Sequence, residues 1–417
     1  MSRDAETETH AASSANTHAD DSASVVALCA ATGSTTARIR SMLKRWSPAD
    51  ARARLINGDP CVRRAFTDDG CRIADTALND WAVAVGRLSL TRIAEDLALR
   101  NENVWWSGSA DHPPVPEGSD AGPEPDRSLI RRLLVDDDDH PPVLFWQGDL
   151  DALRRPRVAI VGTRNATAMG REMARALGRE LSDRGVSVIS GLALGIDAAS
   201  HAGALASSNG RPVGGVGSGL GVAYPPANRG LWAQVAQRGL LISELPFDRG
   251  PTPSTFPARN RIIAQLAQVV VVVESATKGG SLITVDRALE RGRPLLAVPG
   301  SPLSPVSAGT NELLRGGLLG PVALPCLGVA DVLTLLDLEV VTDETYVDER
   351  PELSPADESL LQVLGWDELS IGAVAAKLGA AGQPNGLAEV SLGLTHLEAA
   401  GWVARVAGRW RRLGAQP

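Results

Sequence analysis

Long hydrophobic runs are missing from the 417 residues. No apolar stretch approaches the roughly 18 residues that a membrane-spanning helix needs, which excludes a helical membrane protein. The first 23 residues are mostly Ser, Thr, Ala, Asp and His with no apolar h-region, so a disordered tail is expected rather than a secretory signal. Cysteine is scarce: Cys29, Cys61, Cys71 and Cys326 lie far apart, with no Cys-x-x-Cys pair and no His at ligand spacing. That excludes a disulfide framework and a zinc site, and leaves free thiols in a reducing compartment. No internal repeat recurs at a fixed period. The expectation is a soluble, cytoplasmic protein with no metal, no cofactor and no membrane association.

The net charge of −8 argues at first against a polyanionic partner. Its distribution argues the other way. Residues 157–325 hold 17 Lys/Arg against 10 Asp/Glu, and the remaining residues hold 24 against 39. An acidic chain with a basic middle is the pattern of a protein that meets phosphate there.

Residues 24–105 place apolar residues at helical spacing ("TARIRSMLKRW", "LTRIAEDLALRN") and predict a small helical domain. Residues 106–135 are rich in Pro, Gly and acid and read as a flexible insertion. From 136 to 325 the pattern changes to strand, helix, strand. Apolar strand candidates are 157–162, 186–190, 212–217, 240–244, 269–274 and 294–300, separated by helical segments 168–184, 195–207, 228–238, 258–267, 280–291 and 309–316. Continuous apolar strands alternating with helices imply a mostly parallel sheet covered on both faces, a doubly wound, Rossmann-like α/β fold. Residues 326–352 read as a linker. The block 353–417 predicts three short helices and a hairpin turning at Gly408, a winged helix in which acids outnumber bases.

Ligands of such a sheet sit beyond the carboxyl ends of the strands, and three junctions fall there. In "VGTRNAT" (161–167), Gly162 permits a tight turn, Thr163 offers a hydroxyl and an amide, and Arg164 can grip phosphate. In "ESATKGGSLIT" (274–284), Gly279 and Gly280 let backbone amides approach a ligand, Ser281 and Thr284 supply hydroxyls at a helix start, and Lys278 adds charge. In "SAGTNELL" (307–314), Asn311 opens a further helix. Each junction alone is as well read as a tight turn; together they describe an anion-binding groove. The dinucleotide fingerprint Gly-x-Gly-x-x-Gly is absent after the first strand, and "GGVGSG" (214–219) follows the third strand without a ribose-binding acid about 20 residues on. No Walker A motif occurs. A polymer backbone suits these cradles as well as a mononucleotide does.

The ordered motifs "IVGTRNAT", "SGLALGIDAASHAGAL", "GSGLGVAYPPANRGL", "LLISELP", "FPARNRIIAQL", "ESATKGGSLIT", "GRPLLAVPG" and "GTNELL" resemble the DNA-processing protein A family, DprA or Smf, over about 150–325. The resemblance implies an extended Rossmann fold acting as a homodimer without established catalysis. The implied function is to bind and protect single-stranded DNA and help load RecA recombinase in natural transformation. It also implies DNA contacts at Arg164, Lys278 and Asn311, with Gly162, Thr163, Gly279, Gly280, Ser281 and Thr284 lining the cradles. Two departures stand out. Gly221 replaces a frequent Asp, and "ATGSTT" stands where a helix-hairpin-helix turn is common in the N-terminal (SAM/helix-hairpin-helix-like) domain.

Other residues have plainer readings. Arg259, Asn260 and Arg261 extend the DNA track or brace the sheet edge. Asp197 and His201, at helical i, i+4 spacing, imitate a catalytic pair, although an Asp near a helix start usually complements the dipole. Glu274 is expected to pair with Lys278. Trp105, Trp106 and Trp146 are read as packing residues. The enzymatic alternative is a nucleotide-monophosphate hydrolase of the lysine decarboxylase-like Rossmann group. That group's catalytic Glu falls on Arg287 here, so the carboxylate is missing.

Overall fold

A computed structural model describes residues 20–107, 133, 139–316, 322–338, 351, 353–364, 369–382, 386–406 and 408–412. The chain divides into two compact units, Met1–Val340 and Val341–Pro417.

The first unit opens with a helical bundle: a helix over 20–30, then Thr36–Leu43, Pro48–Ile56, Pro60–Asp68, Asp75–Gly86 and Leu90–Leu99. Local chemistry sets several of these starts. Ser47 and Asp59 cap helices whose next residue is proline, which lacks the N–H that a helix start cannot pair. Leu28, Met42, Leu55, Phe66 and Trp81 fill the bundle's core, with the Phe66 and Trp81 rings stacked at 6.2 Å.

Next comes a nine-stranded sheet. Its strands are β1 (Asn103–Trp106), β2 (Val143–Gly148), β3 (Arg157–Val161), β4 (Ser187–Ser190), β5 (Val213–Gly215), β6 (Leu240–Ser243), β7 (Val269–Val272), β8 (Leu295–Ala297) and β9 (Leu324–Pro325). The spatial order is β1-β2-β6-β5-β4-β3-β7-β8-β9. From β6 to β9 every pairing is parallel; β2 on β6 and β1 on β2 are antiparallel. The six strands read from the sequence are all present, and the fold is the expected Rossmann-like α/β type.

The parallel strands are buried on both faces, which explains their unbroken apolar runs. In β7, Val269 and Val271 pack against helices Ala168–Asp183 and Ile196–Ala206 through Leu177, Leu181 and Ile196. Val270 and Val272 face the other way, against Ile262 and Ile263 of Thr255–Leu266 and Val285 of Leu282–Glu290. All four valines are 0% exposed. At roughly 1.5 kcal/mol or more for burying each side chain, this strand anchors the domain.

Three expected boundaries differ. Residues 20–23, read as tail, belong to the first helix. The limit at 105/106 cuts through β1, whose Trp105 and Trp106 pair with Leu144 and Val143. Residues 326–338, read as linker, include helix Val329–Leu335, which packs Val332 and Leu333 into the sheet's core. Residues 1–19 of the expected tail, 108–132 and 134–135 of the insertion expected at 106–135, and 339–350 of the expected linker lie outside the described residues.

The second unit holds helices Pro355–Leu364, Ile371–Ala380 and Leu387–Ala399, then a hairpin of β10 (Val403–Val406) and β11 (Arg409–Arg412). Gly408 takes φ 78° at the turn, and Leu369 bridges to Trp410. Leu361, Leu364, Val374, Leu394 and Trp410 form its own core.

Candidate nucleic-acid interface

The strand order reverses between β3 and β7. The chain runs from β3 outward through β4, β5 and β6, then returns to β3's other side as β7. The crevice beyond the carboxyl ends of these two strands is where an open α/β sheet takes its ligand. Here it is bounded by the turn after β3, Gly162-Thr163-Arg164, and by the loop after β7 that leads to Lys278-Gly279-Gly280-Ser281. The two are tied together by backbone: Val273 N–H donates to Val161 O at 3.1 Å and Thr163 N–H to Glu274 O at 2.7 Å. Gly162 is required sterically, since a Cβ there would lie 2.5 Å from Ile196 Cγ1 and 2.8 Å from Glu274 O.

Between the turns lies a cavity of about 660 Å³, lined by Gly162, Thr163 and Arg164 on one side and Gly279, Gly280, Ser281 and Thr284 on the other. Its third wall is the start of helix Thr255–Leu266, through Phe256, Pro257 and Asn260. Arg164 and Lys278 are both exposed. The Arg164 guanidinium lies over the Phe256 ring at 5.2 Å, and Phe256 leans on Tyr224 with ring centroids 5.4 Å apart. Asn260 Nδ2 donates to Gly280 O at 3.3 Å, joining the aromatic wall to the Gly-Gly loop. Helix Leu282–Glu290 opens at this loop with no side-chain cap, so the positive end of its dipole is turned to the cavity's rim without an anion of its own. The result is a wide cradle with apolar walls, loop amides, and a guanidinium and an aromatic face at its edge, suited to an elongated anion that carries rings.

Residues 127–321 match the family described as DNA recombination-mediator protein A. Protein Smf of Escherichia coli K12 is 33% identical over 318 residues, 75% of this chain and 80% of that protein. The chain belongs to the DprA/Smf family. The putative DNA processing protein DprA of Mycobacterium tuberculosis H37Rv is 35% identical over 286 residues, 66% of this chain and 70% of its own. The crystal structure of DprA from Streptococcus pneumoniae superposes with a TM-score of 0.57 at 29% identity, covering 74% of this chain and 95% of that one.

Within this DprA/Smf chain, the residues expected to bind divide into two groups. Gly162, Thr163, Arg164, Gly279, Gly280, Ser281 and Thr284 meet on one cavity, with Lys278 exposed directly beside it. The Ser281 hydroxyl donates to Ser275 Oγ at 2.9 Å and steadies the loop.

Three others are clasped by the protein itself. Arg259 lines the cavity floor but is 6% exposed. Its Nη1 donates to Gly191 O and Gly215 O, each at 2.5 Å, bracing the ends of β4 and β5. Arg261 is buried against Glu244 at 2.5 Å and Asp139 at 3.5 Å, outside the cavity. Burial pushes the Glu244 carboxyl up to about 7, with Arg261 opposing the rise. Asn311 donates to Gly300 O at 3.0 Å and accepts from Gly300 N–H at 3.1 Å, which closes its amide onto the loop after β8. Arg259 and Arg261 thus make the contacts of the bracing reading. Asn311, half-buried, clasps the loop after β8 with its amide.

Glu274 does not pair with Lys278. Its carboxylate accepts from Thr167 N–H at 2.9 Å and from Thr167 Oγ1 at 2.5 Å, at the start of helix Ala168–Asp183. Asp197 and His201 form no pair. Asp197 Oδ2 accepts from Gly191 N–H at 3.1 Å, and burial raises its pKa against the pull of Arg259. His201 bonds Val213 O at 3.2 Å, and burial lowers its pKa to about 4. Sequence reasoning missed Phe256 and Tyr224, whereas Asn260, named with its arginine neighbours, does line the cavity. "FPARNR" and "AYPPANR" were in view, yet only the folded chain brings their aromatic rings beside Arg164.

Proposed function

We propose that the switch-point cavity holds a single strand of DNA by its sugar–phosphate chain, and that the protein acts as a DNA-processing recombination mediator by this grip. Carrying the proposal is the convergence of two backbone-tied βα turns on one cavity, with Arg164 and Lys278 exposed at its border and Phe256 on its wall, backed by Tyr224. The cations neutralise phosphates, the loop amides and helix start complete the cradle, and the rings offer a face on which an unpaired base can stack. Duplex DNA hides its base faces, so the aromatic wall favours a single strand.

The test is fluorescence anisotropy of labelled single- and double-stranded oligonucleotides across a salt series. Arg164→Ala and Lys278→Ala should weaken binding to all sequences alike and each reduce the salt slope by about 1. Phe256→Ala should cost about 1–3 kcal/mol on a single strand and less on a duplex. Unaltered affinity in all three variants would refute the site.

Family membership supports the finer reading: a cytoplasmic homodimer, without cofactor, that protects incoming strands and helps load RecA. Co-elution of RecA with the chain on single-stranded DNA, and the loss of loading in Arg164→Ala, test it. In this reading no catalytic step occurs. The hydrolase alternative requires a carboxylate where Arg287 stands, and Arg287 pairs with Glu290 at 2.9 Å along its own helix. Turnover of nucleoside monophosphates to free base by the purified chain would restore that alternative.

A further inference from the structure

A second cavity, of about 300 Å³, lies between the helical bundle and the segment that follows β6, and shares no lining residue with the first. Val26, Leu88 and Leu97 from the bundle and Phe247 from beyond β6 make its walls largely apolar. Glu102 also lines it. The backbone at Asn101 takes φ 48°, a left-handed turn that leads out of helix Leu90–Leu99, and Glu102 N–H donates back to Leu97 O at 3.0 Å. Glu102 is only 7% exposed, and its Oε1 has no hydrogen-bond partner among the described residues. A carboxylate buried without a partner is costly, and such groups are ordinarily paired or bound to a ligand.

The cations of the cleft do not meet this need. The Arg100 guanidinium lies over the Phe247 ring at 4.1 Å and pairs with Asp248 at 3.4 Å and Asp96 at 3.8 Å. The charged groups facing the cleft are therefore Asp96, Glu102 and Asp248 against Arg100 and Arg249. No group of three or more potential metal ligands occurs among the described residues.

We propose that this cleft binds a small organic cation, an ammonium group on an apolar body, with its N–H donors on Glu102. The negative balance selects a cation, the aliphatic and aromatic walls select an apolar body, and the volume lies at the small end of ligand sites. Burial pushes the Glu102 carboxyl up to about 7, and a bound ammonium would favour its ionised form. Because the cleft joins the bundle to the sheet, an occupant would tie the two together and raise the stability of the whole unit.

Phenethylamine is a suitable probe, with 2-phenylethanol as its neutral counterpart and phenylacetate as its anionic one. Calorimetry and thermal shift on the full chain at pH 8 should show saturable binding of the amine, at least tenfold tighter than either counterpart. Glu102→Gln should remove that preference, and Leu97→Trp should fill the cleft and abolish binding of amine and alcohol together. On the unaltered chain, amine affinity should rise about tenfold from pH 6 to pH 8 as Glu102 ionises, since an aliphatic amine stays protonated over that range. An amine that binds no tighter than the alcohol, equal amine affinity in Glu102→Gln, or an affinity flat with pH would each overturn the proposal.

Discussion

Arg164 and Arg259 line the same cavity and differ in almost every other respect. The first is exposed over an aromatic ring. The second is clasped by two backbone carbonyls, and Gly191 exists in part to admit it, since a Cβ at Gly191 would lie 2.1 Å from Arg259 Nη1. Arg164→Ala should therefore leave stability within about 0.5 kcal/mol while binding falls. Arg259→Ala should cost on the order of 2–3 kcal/mol in denaturant unfolding, because it leaves the buried Gly191 and Gly215 carbonyls without their donor and removes the cation that offsets buried Asp197. Gly191→Ala should destabilise by forcing the same guanidinium aside. If Arg259→Ala unfolds at the unaltered denaturant midpoint, the brace has been misread. Nothing in "PARNRI" separates a bracing arginine from a gripping one, since both need the same side chain; burial alone distinguishes them.

At the level of elements, the Gly-rich turns and helix starts were legible because they follow apolar strands at regular intervals, and ligand sites of such sheets fall at strand ends. The partners of their polar residues were not. Glu274 is four residues from Lys278, but it reaches Thr167, 107 residues away, because β3 and β7 are parallel neighbours and bring their exits together. Glu274→Ala removes two hydrogen bonds at the start of helix Ala168–Asp183 and should destabilise by about 1–3 kcal/mol in thermal or denaturant unfolding. It should also loosen the β3 turn and so weaken binding through Arg164. Lys278→Ala should do the second without the first. The antiparallel edge was missed for a related reason: β1 is only four residues long, and its partner β2 lies beyond an insertion.

At the level of the molecule, the helical bundle and the sheet share apolar contacts, and the second unit has a core of its own. Trp106, Val143, Phe145 and Leu241 belong to the same cluster as Leu28 and Trp81. Removing residues 1–107 should therefore expose apolar surface and give an aggregating product, whereas ending the chain at 340 should leave the melting transition of the first unit within about 2 °C. Glu102 sits in the joint between bundle and sheet, and its pH linkage follows from burial. The folded chain raises the carboxyl from 4.5 to about 7. Its contribution to stability is thus fully present below about pH 4.5 and is lost as pH rises through 7. Glu102→Gln abolishes this dependence, so the variant should gain on the order of 3 kcal/mol relative to the parent between pH 4.5 and 7, with no further change above. Equal pH profiles in urea unfolding would contradict the burial of that carboxyl.

Taken by itself, the sequence determined the fold class, the order of strands and helices, and the turns that border the cavity. Those features depend on local pattern: apolar runs, glycines at turns, and ordered motifs. Only the tertiary structure decided that Arg259, Arg261 and Asn311 are clasped by the protein itself, that Phe256, packed on Tyr224, walls the cavity, and that Glu102 lies unpartnered in a second cleft. Each of these depends on which segments become neighbours, and parallel pairing makes neighbours of strand ends that lie a hundred residues apart in the chain.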